Sequence, residues 1–400
     1  MKDLYAISLE AHEKAKGKFS VEPKVEVNNI DDLSIYYSPG VAEPCRKIAE
    51  NVNNAYKYTA KGNMLAIITD GSAVLGLGDI GPEAGIPVLE GKSMLFKKLA
   101  GIDAMPIALG TKDTEQIIQT IKNISPSFGA IDLEDIGAPR CIEIETRLKK
   151  ELDIPVFHDD QHGASIAATA GMINAFKLVG KKFSDVKAVV CGAGAAGSSI
   201  IKMLIAMGVH NILAVDKMGI LRRSDKDYYD FNMTFLAEVT NIGDIKGDLG
   251  TAIEGADIFI GVSAANILTR DMVRRMNRDP VIFAMANPTP EIMPADAKEA
   301  GARVVGTGRS DFPNQINNIL VFPGIFKGAL SARARKITDS MKMAAAYGIA
   351  SLVSESELRE DYVVPGPLDP RLADTVADAV ARKAIEEGVC RREFIDNKYF

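Results

Sequence analysis

Residues 186–216 read VKAVVCGAGAAGSSIIKMLIAMGVHNILAVD, and this stretch decides the fold. The apolar run at 186–191 predicts a buried strand, and a glycine-rich turn follows it. A helical pattern opens in the turn and is expected to run to about Met207. A second apolar run at 212–216 predicts another strand. Strand, helix and strand in this order predict two parallel strands joined by a helical crossover.

The turn carries the spacing GxGxxG, with glycines at Gly192, Gly194 and Gly197. Gly192 permits the tight turn, Gly194 lets the backbone approach a pyrophosphate, and Gly197 lets the helix pack close to the strand. The helix N-terminus supplies N–H donors and positive potential to phosphates. A dinucleotide is therefore the predicted ligand of this loop, which consists of Gly192, Ala193, Gly194, Ala195, Ala196 and Gly197.

The acidic residue at the end of the second strand bears on the choice of dinucleotide. Asp216 is expected to accept hydrogen bonds from the adenosine ribose and to repel a 2′-phosphate, which favours NAD. Lys217, Arg222 and Arg223 follow closely and could contact a 2′-phosphate. NADP therefore stays an alternative.

The alternation of short apolar runs with helical patterns extends on both sides of this stretch. It predicts strands at 65–69, 104–109, 128–133 and 154–157, with helices at 91–100, 113–123, 139–152 and 164–179. Beyond Asp216 it predicts strands at 257–262, 281–286 and 303–306. The fold class is therefore α/β. We expect an N-terminal α/β substrate domain at 1–162, a Rossmann-like doubly wound dinucleotide-binding domain at 163–335, and a helical C-terminal tail at 336–400 that packs on both.

The composition narrows the class of protein. The chain has 400 residues, 47% of them hydrophobic and 25% charged, and a net charge of −6. These values are typical of a globular protein, and they give no support for nucleic-acid binding. No apolar run reaches the roughly 18 residues that span a bilayer. The four cysteines are widely spaced without a CxxC pair, so we expect reduced thiols and a cytoplasmic location.

Two pairs of acids directly follow predicted strands. Glu134 and Asp135 follow the strand at 128–133, and Asp159 and Asp160 follow the strand at 154–157. The carboxyl ends of parallel strands meet at one edge, where four acids repel one another unless a cation neutralises them. Oxygen ligands of this kind suit Mg²⁺ or Mn²⁺. Solvated acids near helix starts are the equal alternative on spacing alone.

His158 and His162 flank the second pair and invite a zinc hypothesis, since they are four residues apart. A strand end and a helix start need not present them on one face, and there is no HExxH motif. We therefore expect both histidines to support the site or the fold rather than to bind metal.

Lys92 and Tyr37 have a catalytic context. Lys92 would lie in the first turn of the helix predicted at 91–100, where the helix dipole lowers the pKa of an amine and favours a general base. An ordinary exposed lysine is the alternative. Tyr37 precedes a Ser38-Pro39-Gly40 turn and could donate a proton there, although composition alone favours a packing role.

Taken together, eight ordered segments between about residues 35 and 335 resemble the malic enzyme family in its short bacterial and archaeal form. The segments are Tyr37–Ala42, Leu75–Pro82, Glu90–Lys92, Leu133–Ile136, Phe157–Gly163, Gly192–Gly197, Ala286–Glu291 and Asn317–Gly324. The resemblance implies oxidative decarboxylation of L-malate to pyruvate and CO₂ with NAD or NADP and Mg²⁺ or Mn²⁺. It also implies a homodimer. A hydroxy-acid dehydrogenase without decarboxylation and a non-catalytic nucleotide-sensing module are the alternative functions.

The resemblance assigns roles residue by residue. It implies that Lys92 is the general base, that Tyr37 is the general acid and that Asp159 lies beside the lysine. It further implies that the metal ligands are Glu134, Asp135 and Asp160, and that the contacts to substrate or nicotinamide come from Asn287 and Asn318.

One position departs from the longer eukaryotic members, which carry an arginine for a malate carboxylate where this chain has Ala73. The C4 carboxylate must then be held by other groups, for which backbone N–H groups, Asn318 and a partner subunit are the candidates.

Overall fold

The structure is a computed structural model that describes residues 3–74 and 76–391. Leu75, the first residue of one resembling segment, lies outside the described residues, as does 392–400 at the end of the predicted tail. The chain begins with helices α1 (Leu4–Ala15), α2 (Ile30–Tyr36), α3 (Ala42–Glu50) and α4 (Ala55–Tyr58), with short 3₁₀ turns at Val52–Asn54 and Ala60–Asn63. None of the residues in α1, α2 and α3 is buried.

The first sheet consists of four parallel strands in the order β2-β1-β3-β4. They are β1 (Met64–Thr69), β2 (Asp103–Ala108), β3 (Ala130–Leu133) and β4 (Val156–His158). The helices are α5 (Pro82–Leu95), α6 (Thr114–Ile124), α7 (Arg140–Glu151) and α8 (Asp159–Val179), with a π-helical turn at Phe96–Ala100 and a 3₁₀ turn at Ser125–Ser127. All four predicted strands are present within two residues of their expected starts.

The second sheet has six strands in the order β10-β9-β8-β5-β6-β7, and only the short β7 is antiparallel. The strands are β5 (Lys187–Cys191), β6 (Asn211–Asp216), β7 (Gly219–Ile220), β8 (Ile258–Gly261), β9 (Val281–Ala284) and β10 (Val304–Thr307). Strand β6 lies on one side of β5, and strand β8, which follows later in the chain, lies on the other side. The carboxyl end of β5 is therefore the topological switch point, where ligands bind in open α/β sheets.

The remaining helices cover this sheet or form the C-terminal part. They are α9 (Ala195–Ala206), α10 (Phe231–Val239), α11 (Leu249–Ile253), α12 (Arg270–Arg274), α13 (Pro294–Glu299), α14 (Phe322–Ser331), α15 (Asp339–Ser351) and α16 (Leu372–Glu386), with 3₁₀ turns at Phe183–Asp185, Arg223–Tyr228 and Asn318–Leu320. The expected α/β class with two parallel-sheet units and a helical C-terminal part is confirmed.

Helix α8 joins the two units. Its residues are buried along nearly the whole length, and it packs on α9 and α15. The largest apolar cluster accordingly contains residues from both units, such as Phe157, Phe176 and Phe283. The corner between β4 and α8 is thus held in the middle of the molecule.

The C-terminal part returns to the first unit. Helix α16 packs on α14 and α15, and the chain then reaches Arg391. The Arg391 guanidinium donates to Asp153 over 2.7 Å and lies 5.0 Å from the centre of the Tyr56 ring. Within the described residues, no helix combines the length and the apolar character that crossing a membrane requires.

Two predicted helix starts are wrong, and both errors concern the site. The helix predicted at 91–100 begins at Pro82, nine residues earlier, and contains Pro87 in its interior. Pro87 and the glycines around it disfavour a helix locally, but packing against β1 and β2 stabilises one. The helix predicted to start at residue 164 begins at Asp159, because the His158 side chain accepts the Gln161 N–H at the N-cap.

Candidate active site

The register of the first sheet brings the two acidic segments together. Leu133 at the end of β3 pairs with Ile68 on one side and with His158 on the other. The residues that follow, Glu134 and Asp159, therefore leave the sheet at neighbouring positions on its carboxyl edge. Both acidic pairs therefore follow strands that end at the same edge, as their positions in the sequence predict.

Three carboxylates at this edge form a compact group. One oxygen each from Glu134, Asp135 and Asp160 lies within 4.8 Å of the others. The Asp135 N–H donates to Asp160 Oδ2 over 2.8 Å and orients that side chain. Glu134 and Asp135 are buried. Buried oxygen ligands converging at this spacing are the donor set that Mg²⁺ and Mn²⁺ prefer.

Lys92 lies against the same edge and is 7% exposed. Its ammonium group donates directly to Glu134 and to Asp159, and Nζ lies 4.9 Å from the centre of the Phe322 ring. Asn318 Nδ2 donates to Asp159 Oδ2 over 2.6 Å and holds that carboxylate. The structure therefore brings Lys92, Asp159 and Asn318 together with the acidic group.

The electrostatics of Lys92 differ from the expectation. The residue lies in the last turn of α5 rather than in the first turn of a helix, so the helix dipole favours its charged form. Burial lowers the pKa of Lys92, but the carboxylates of Asp159, Glu134 and Asp132 outweigh burial and hold the pKa well above its ordinary value. The predicted lowering of this pKa by a helix N-terminus is wrong.

The carboxylates are too many for one ammonium group. Burial raises the pKa of Glu134 well above its ordinary value, and the nearby charge of Asp160 raises it further. Four of these acids lie close enough to Lys92 to raise its pKa. Ionising all four together would be costly, because their negative charges repel one another. A divalent cation between Glu134, Asp135 and Asp160 would remove that cost, so the residues present fit a metal ion.

Asp132 is a further acid at this edge that was not predicted from the sequence. This residue lies inside β3, is fully buried, and places Oδ2 3.9 Å from Lys92 Nζ. Neither of its carboxyl oxygens has a hydrogen-bond partner among the described residues. Burial raises its pKa well above the ordinary value. The signal was an acid within an otherwise apolar strand, which is unusual unless the side chain has a specific neighbour.

The glycine-rich loop has the geometry that its spacing predicts. Gly192 has a φ of +116°, and a Cβ there would lie 2.6 Å from the Val262 carbonyl oxygen. A Cβ at Gly197 would lie 1.7 Å from the Gly192 carbonyl oxygen. At Gly194, by contrast, a Cβ would meet no atom within 4 Å. The loop therefore packs tightly against the protein at Gly192 and Gly197 and leaves free space at Gly194.

This loop borders a cleft of about 600 Å³. Its walls include the loop residues Gly192, Ala193 and Gly194, and Pro139 of the first unit. Asp216 and Lys217 line the same cleft, and Asp216 accepts the Met218 N–H over 2.7 Å. Ala195, Ala196 and Gly197 begin helix α9 at the end of the loop.

Asn287 is exposed and follows β9. A Cβ at Gly76 would lie 2.7 Å from the Asn287 carbonyl oxygen, so the loops that carry these two residues approach each other closely. No described hydrogen bond joins the Asn287 side chain to Lys92 or to the acidic group. The contact of Asn287 with substrate or nicotinamide stays a prediction.

Tyr37 is the one predicted catalytic residue that the single chain leaves in solvent. It follows α2, its side chain is 68% exposed, and its hydroxyl has no hydrogen-bond partner among the described residues. Lys92, by contrast, is buried. The described contacts therefore do not join the proposed acid to the proposed base.

The two histidines near the acids have hydrogen-bond partners within the protein. His162 Nε2 lies 2.9 Å from both Glu145 carboxylate oxygens, and Nδ1 lies 3.1 Å from Ser199 Oγ. Burial lowers the pKa of His162 to about 3, although Glu145 opposes the shift. The side chain of His158 caps α8. Both histidines thus have structural partners, as expected.

The loop that carries Ala73 is contacted by an arginine, Arg140. The Ala73 N–H donates to the Asp135 carbonyl over 3.0 Å. Arg140 approaches from α7, donates to Ser72 Oγ over 2.9 Å and pairs with Asp70 at 2.8 Å. The ion pair with the fully buried Asp70 already balances the guanidinium charge. Arg140 was not singled out from the sequence.

Comparisons with known proteins identify the family. The family model described as malic enzyme, N-terminal domain, matches residues 16–149, and the model described as malic enzyme, NAD binding domain, matches residues 161–385. The bifunctional malic/malolactic enzyme of Bacillus subtilis is 56% identical over 96% of this chain and 94% of its own length. The NAD-dependent malic enzyme of Geobacillus stearothermophilus is 54% identical over 95% of this chain and 79% of its own length.

The fold comparison gives the same result. The crystal structure of the NAD-dependent malic enzyme from Thermotoga maritima superposes with a TM-score of 0.90 at 48% identity, over 94% of this chain and 98% of that chain. Both family models, in the expected order, and relatives of this similarity lead to one conclusion: the chain belongs to the malic enzyme family.

Proposed function

We propose that this chain oxidises L-malate with NAD and decarboxylates it to pyruvate and CO₂ in the presence of Mg²⁺ or Mn²⁺. The observation that carries the proposal is the buried contact of Lys92 with Glu134 and Asp159, beside a group of carboxylates that fits a divalent cation. Decarboxylation leaves an enolate whose charge a cation would stabilise, and a dehydrogenase that does not decarboxylate forms no such enolate.

The residues of the chain have separate tasks in this reaction. The bound nicotinamide would accept the hydride from C2, while a bound cation would polarise the C2 oxygen and stabilise negative charge there. A cation held by Glu134, Asp135 and Asp160 would offset the negative charge that raises the pKa of Lys92, so that the amine can take the proton of the C2 hydroxyl. Asp159 contacts the amine, and Asn318 holds Asp159. Tyr37 donates the proton that C3 needs after CO₂ has left, and its own proton is replaced through Lys92.

The assay that tests the function supplies malate with NAD or NADP, with and without Mn²⁺, and follows reduced cofactor, pyruvate and CO₂. We expect one CO₂ for each NADH, with turnover only when Mn²⁺ is present. NADH without CO₂ would support the simple dehydrogenase, and NAD binding without turnover would support the nucleotide-sensing module.

We propose NAD rather than NADP as the preferred cofactor. Asp216 lines the cleft, where its carboxylate would repel a 2′-phosphate. Arg222 is occupied by Asp225 at 3.5 Å and by Asp244 at 3.4 Å. Arg223 donates to the Glu238 carbonyl over 3.0 Å. Both arginines that could have bound the phosphate therefore have other partners, and we expect a higher kcat/KM with NAD.

The glycine loop gives a direct test of dinucleotide binding. In Gly197→Ala the new methyl group would collide with the Gly192 carbonyl, and overpacking of this kind costs about 1–3 kcal/mol. We expect the Kd for NAD to rise by about tenfold or more in calorimetric titration. The control is Ala206→Ser at the exposed end of α9, which should bind NAD normally. Unchanged affinity in Gly197→Ala would remove this loop from the binding site.

Substitution of the lysine tests the base. Lys92→Ala is expected to lower the rate of hydride transfer by about 10²-fold or more. The Kd for NAD should change little, because Lys92 does not line the cleft beside the glycine loop. Stopped-flow absorbance of NADH measures the first quantity and calorimetry the second. Lys98→Ala, on the exposed side of the same segment, serves as the control. A normal rate in Lys92→Ala would exclude Lys92 as the base.

The pH profile tests the partner of the base. Asp159 stabilises the ammonium form of Lys92, so Asp159→Asn should lower the pKa of Lys92. Only the neutral amine can accept a proton, and activity is therefore lost as the pH falls through this pKa. We expect the acid limb of kcat/KM to move to lower pH by about one unit. The exposed control Asp271→Asn should leave the limb in place, and a limb at higher pH in Asp159→Asn would contradict the model.

The metal proposal is tested by removal of one ligand. In Asp160→Ala one of the three converging carboxylates is lost. We expect the Mn²⁺ concentration for half-maximal activity to rise by about tenfold or more. Asp271→Ala, a surface change, controls for the loss of one negative charge. If Asp160→Ala shows the same Mn²⁺ titration as the unmodified chain, the acidic group is not the metal site.

We also propose that the chain forms a homodimer through its N-terminal helices. Apolar side chains in this segment are exposed to solvent, among them Leu9 at 74% and Ile30 at 72%. Exposed apolar surface of this extent is typical of an association surface. A second copy that covers it would also shield Tyr37 from bulk water. Sedimentation analysis should give twice the 43.0 kDa chain mass, and Leu9→Glu should shift the species towards the monomer.

A cytoplasmic location is proposed from the thiols. Cys45, Cys141, Cys191 and Cys390 are all free, and three of them are buried. Persisting free thiols are typical of a reducing compartment.

A further inference from the structure

Behind the acidic group lies a second set of buried polar side chains that the proposed reaction does not use. It consists of Glu145 on α7, His162 on α8 and Ser199 on α9. Each of the three is at most 5% exposed. Because they come from three helices, their hydrogen bonds join parts of the chain that are distant in sequence.

The Glu145 carboxylate holds both ends of the corner that carries Asp159 and Asp160. At one end, the His158 backbone N–H donates to Glu145 Oε1 over 3.2 Å. At the other end, His162 Nε2 lies 2.9 Å from both Glu145 oxygens. Asp159 and Asp160 lie between these two points of attachment. The position of the corner therefore depends on Glu145.

The same set of hydrogen bonds reaches the dinucleotide helix. A carboxylate only accepts, so His162 Nε2 donates to Glu145, and Nδ1 of the neutral ring is free to accept. Nδ1 lies 3.1 Å from Ser199 Oγ, whose hydroxyl donates to it. Ser199 lies in the second turn of α9, the helix that begins after Gly194 of the glycine loop. A continuous chain of hydrogen bonds thus links this helix to the acidic corner.

Glu145 is well suited to this task because it is charged. Lys149 Nζ lies 2.6 Å from Oε1, so this oxygen receives three donors. Burial raises the pKa of Glu145, but the hydrogen bond from His162 and the charge of Lys149 outweigh burial and keep the pKa well below its ordinary value. Hydrogen bonds to an ionised acceptor are about twice as strong as neutral ones.

We propose that Glu145 is a positioning residue, which fixes Asp159 and Asp160 relative to the dinucleotide helix through His162 and Ser199. The inference rests on the proposed function, because it concerns the geometry of the metal ligand Asp160 and of Asp159, the partner of Lys92. Its consequence is that loss of Glu145 weakens metal binding although Glu145 touches neither the metal site nor the cleft.

The experiment measures the Kd of Mn²⁺ by electron paramagnetic resonance and the Kd of NAD by calorimetry, without substrate. Glu145→Gln keeps the volume but removes the charge. We expect Mn²⁺ to bind about tenfold more weakly, as for other residues that orient metal ligands. The Kd of NAD measured without Mn²⁺ should stay within about twofold, because the glycine loop is intact. In the assay, the Mn²⁺ requirement should rise in step with the Kd.

Glu143→Gln is the matched control, since Glu143 lies on the same helix with its side chain 49% exposed. It should bind Mn²⁺ as the unmodified chain does. Ser199→Ala is the second variant, and it provides the test in case Glu145→Gln does not fold. Loss of its hydrogen bonds to His162 and to Ser165 should weaken Mn²⁺ binding by about threefold.

The outcomes separate the inference from the function on which it rests. If Asp160→Ala binds Mn²⁺ as tightly as the unmodified chain, the proposed metal site fails. If Asp160→Ala loses Mn²⁺ but Glu145→Gln and Ser199→Ala do not, only the role of Glu145 is overturned. An equal loss in Glu143→Gln, or a lower unfolding temperature with an unchanged Kd for Mn²⁺, would also overturn it.

Discussion

A buried ammonium group among carboxylates is the interaction on which the rest of the site depends. A charge removed from water is costly unless a partner lies in contact with it, and Lys92 has two such partners in Glu134 and Asp159. The partners are buried as well, so the ion pairs hold helix α5 against the carboxyl ends of β3 and β4. Several carboxylates surround this one ammonium group, and a divalent cation bound by Glu134, Asp135 and Asp160 would offset the excess negative charge.

The parallel sheet explains why these acids can meet at all. Two strands that pair in register end at the same edge, and Leu133 opposite His158 sets that register. The following residues therefore need no long loop to converge. Helix α8 starts at the same point, at Asp159, and runs through the common core of both units. The acidic corner is consequently held by backbone and by packing before any ligand binds.

The same helix connects the two halves of the chemistry. Its first turn carries Asp159 and Asp160, and its next turn carries His162, which contacts Ser199 on the helix after the glycine loop. In the proposed reaction, the acidic group and the glycine loop would have to keep a fixed distance for hydride to pass from the substrate to the nicotinamide. Side chains that join the two units across α8 provide that constraint, whereas no residue of the N-terminal helices α1, α2 and α3 is buried.

What the sequence determined by itself was local. The period of apolar residues predicted the parallel strands, and the GxGxxG spacing between strand and helix predicted the loop, because both patterns depend on neighbours in the chain. The pairing of acids at one sheet edge also followed from order alone. Only the tertiary structure decided the direction in which the pKa of Lys92 is shifted, because its partners lie 42 and 67 residues away in the sequence. It also decided the helix around Pro87, the buried Asp132 and the exposure of Tyr37. A pKa, a tolerated proline and a buried acid each depend on which distant groups surround the residue, and that information is absent from any local pattern.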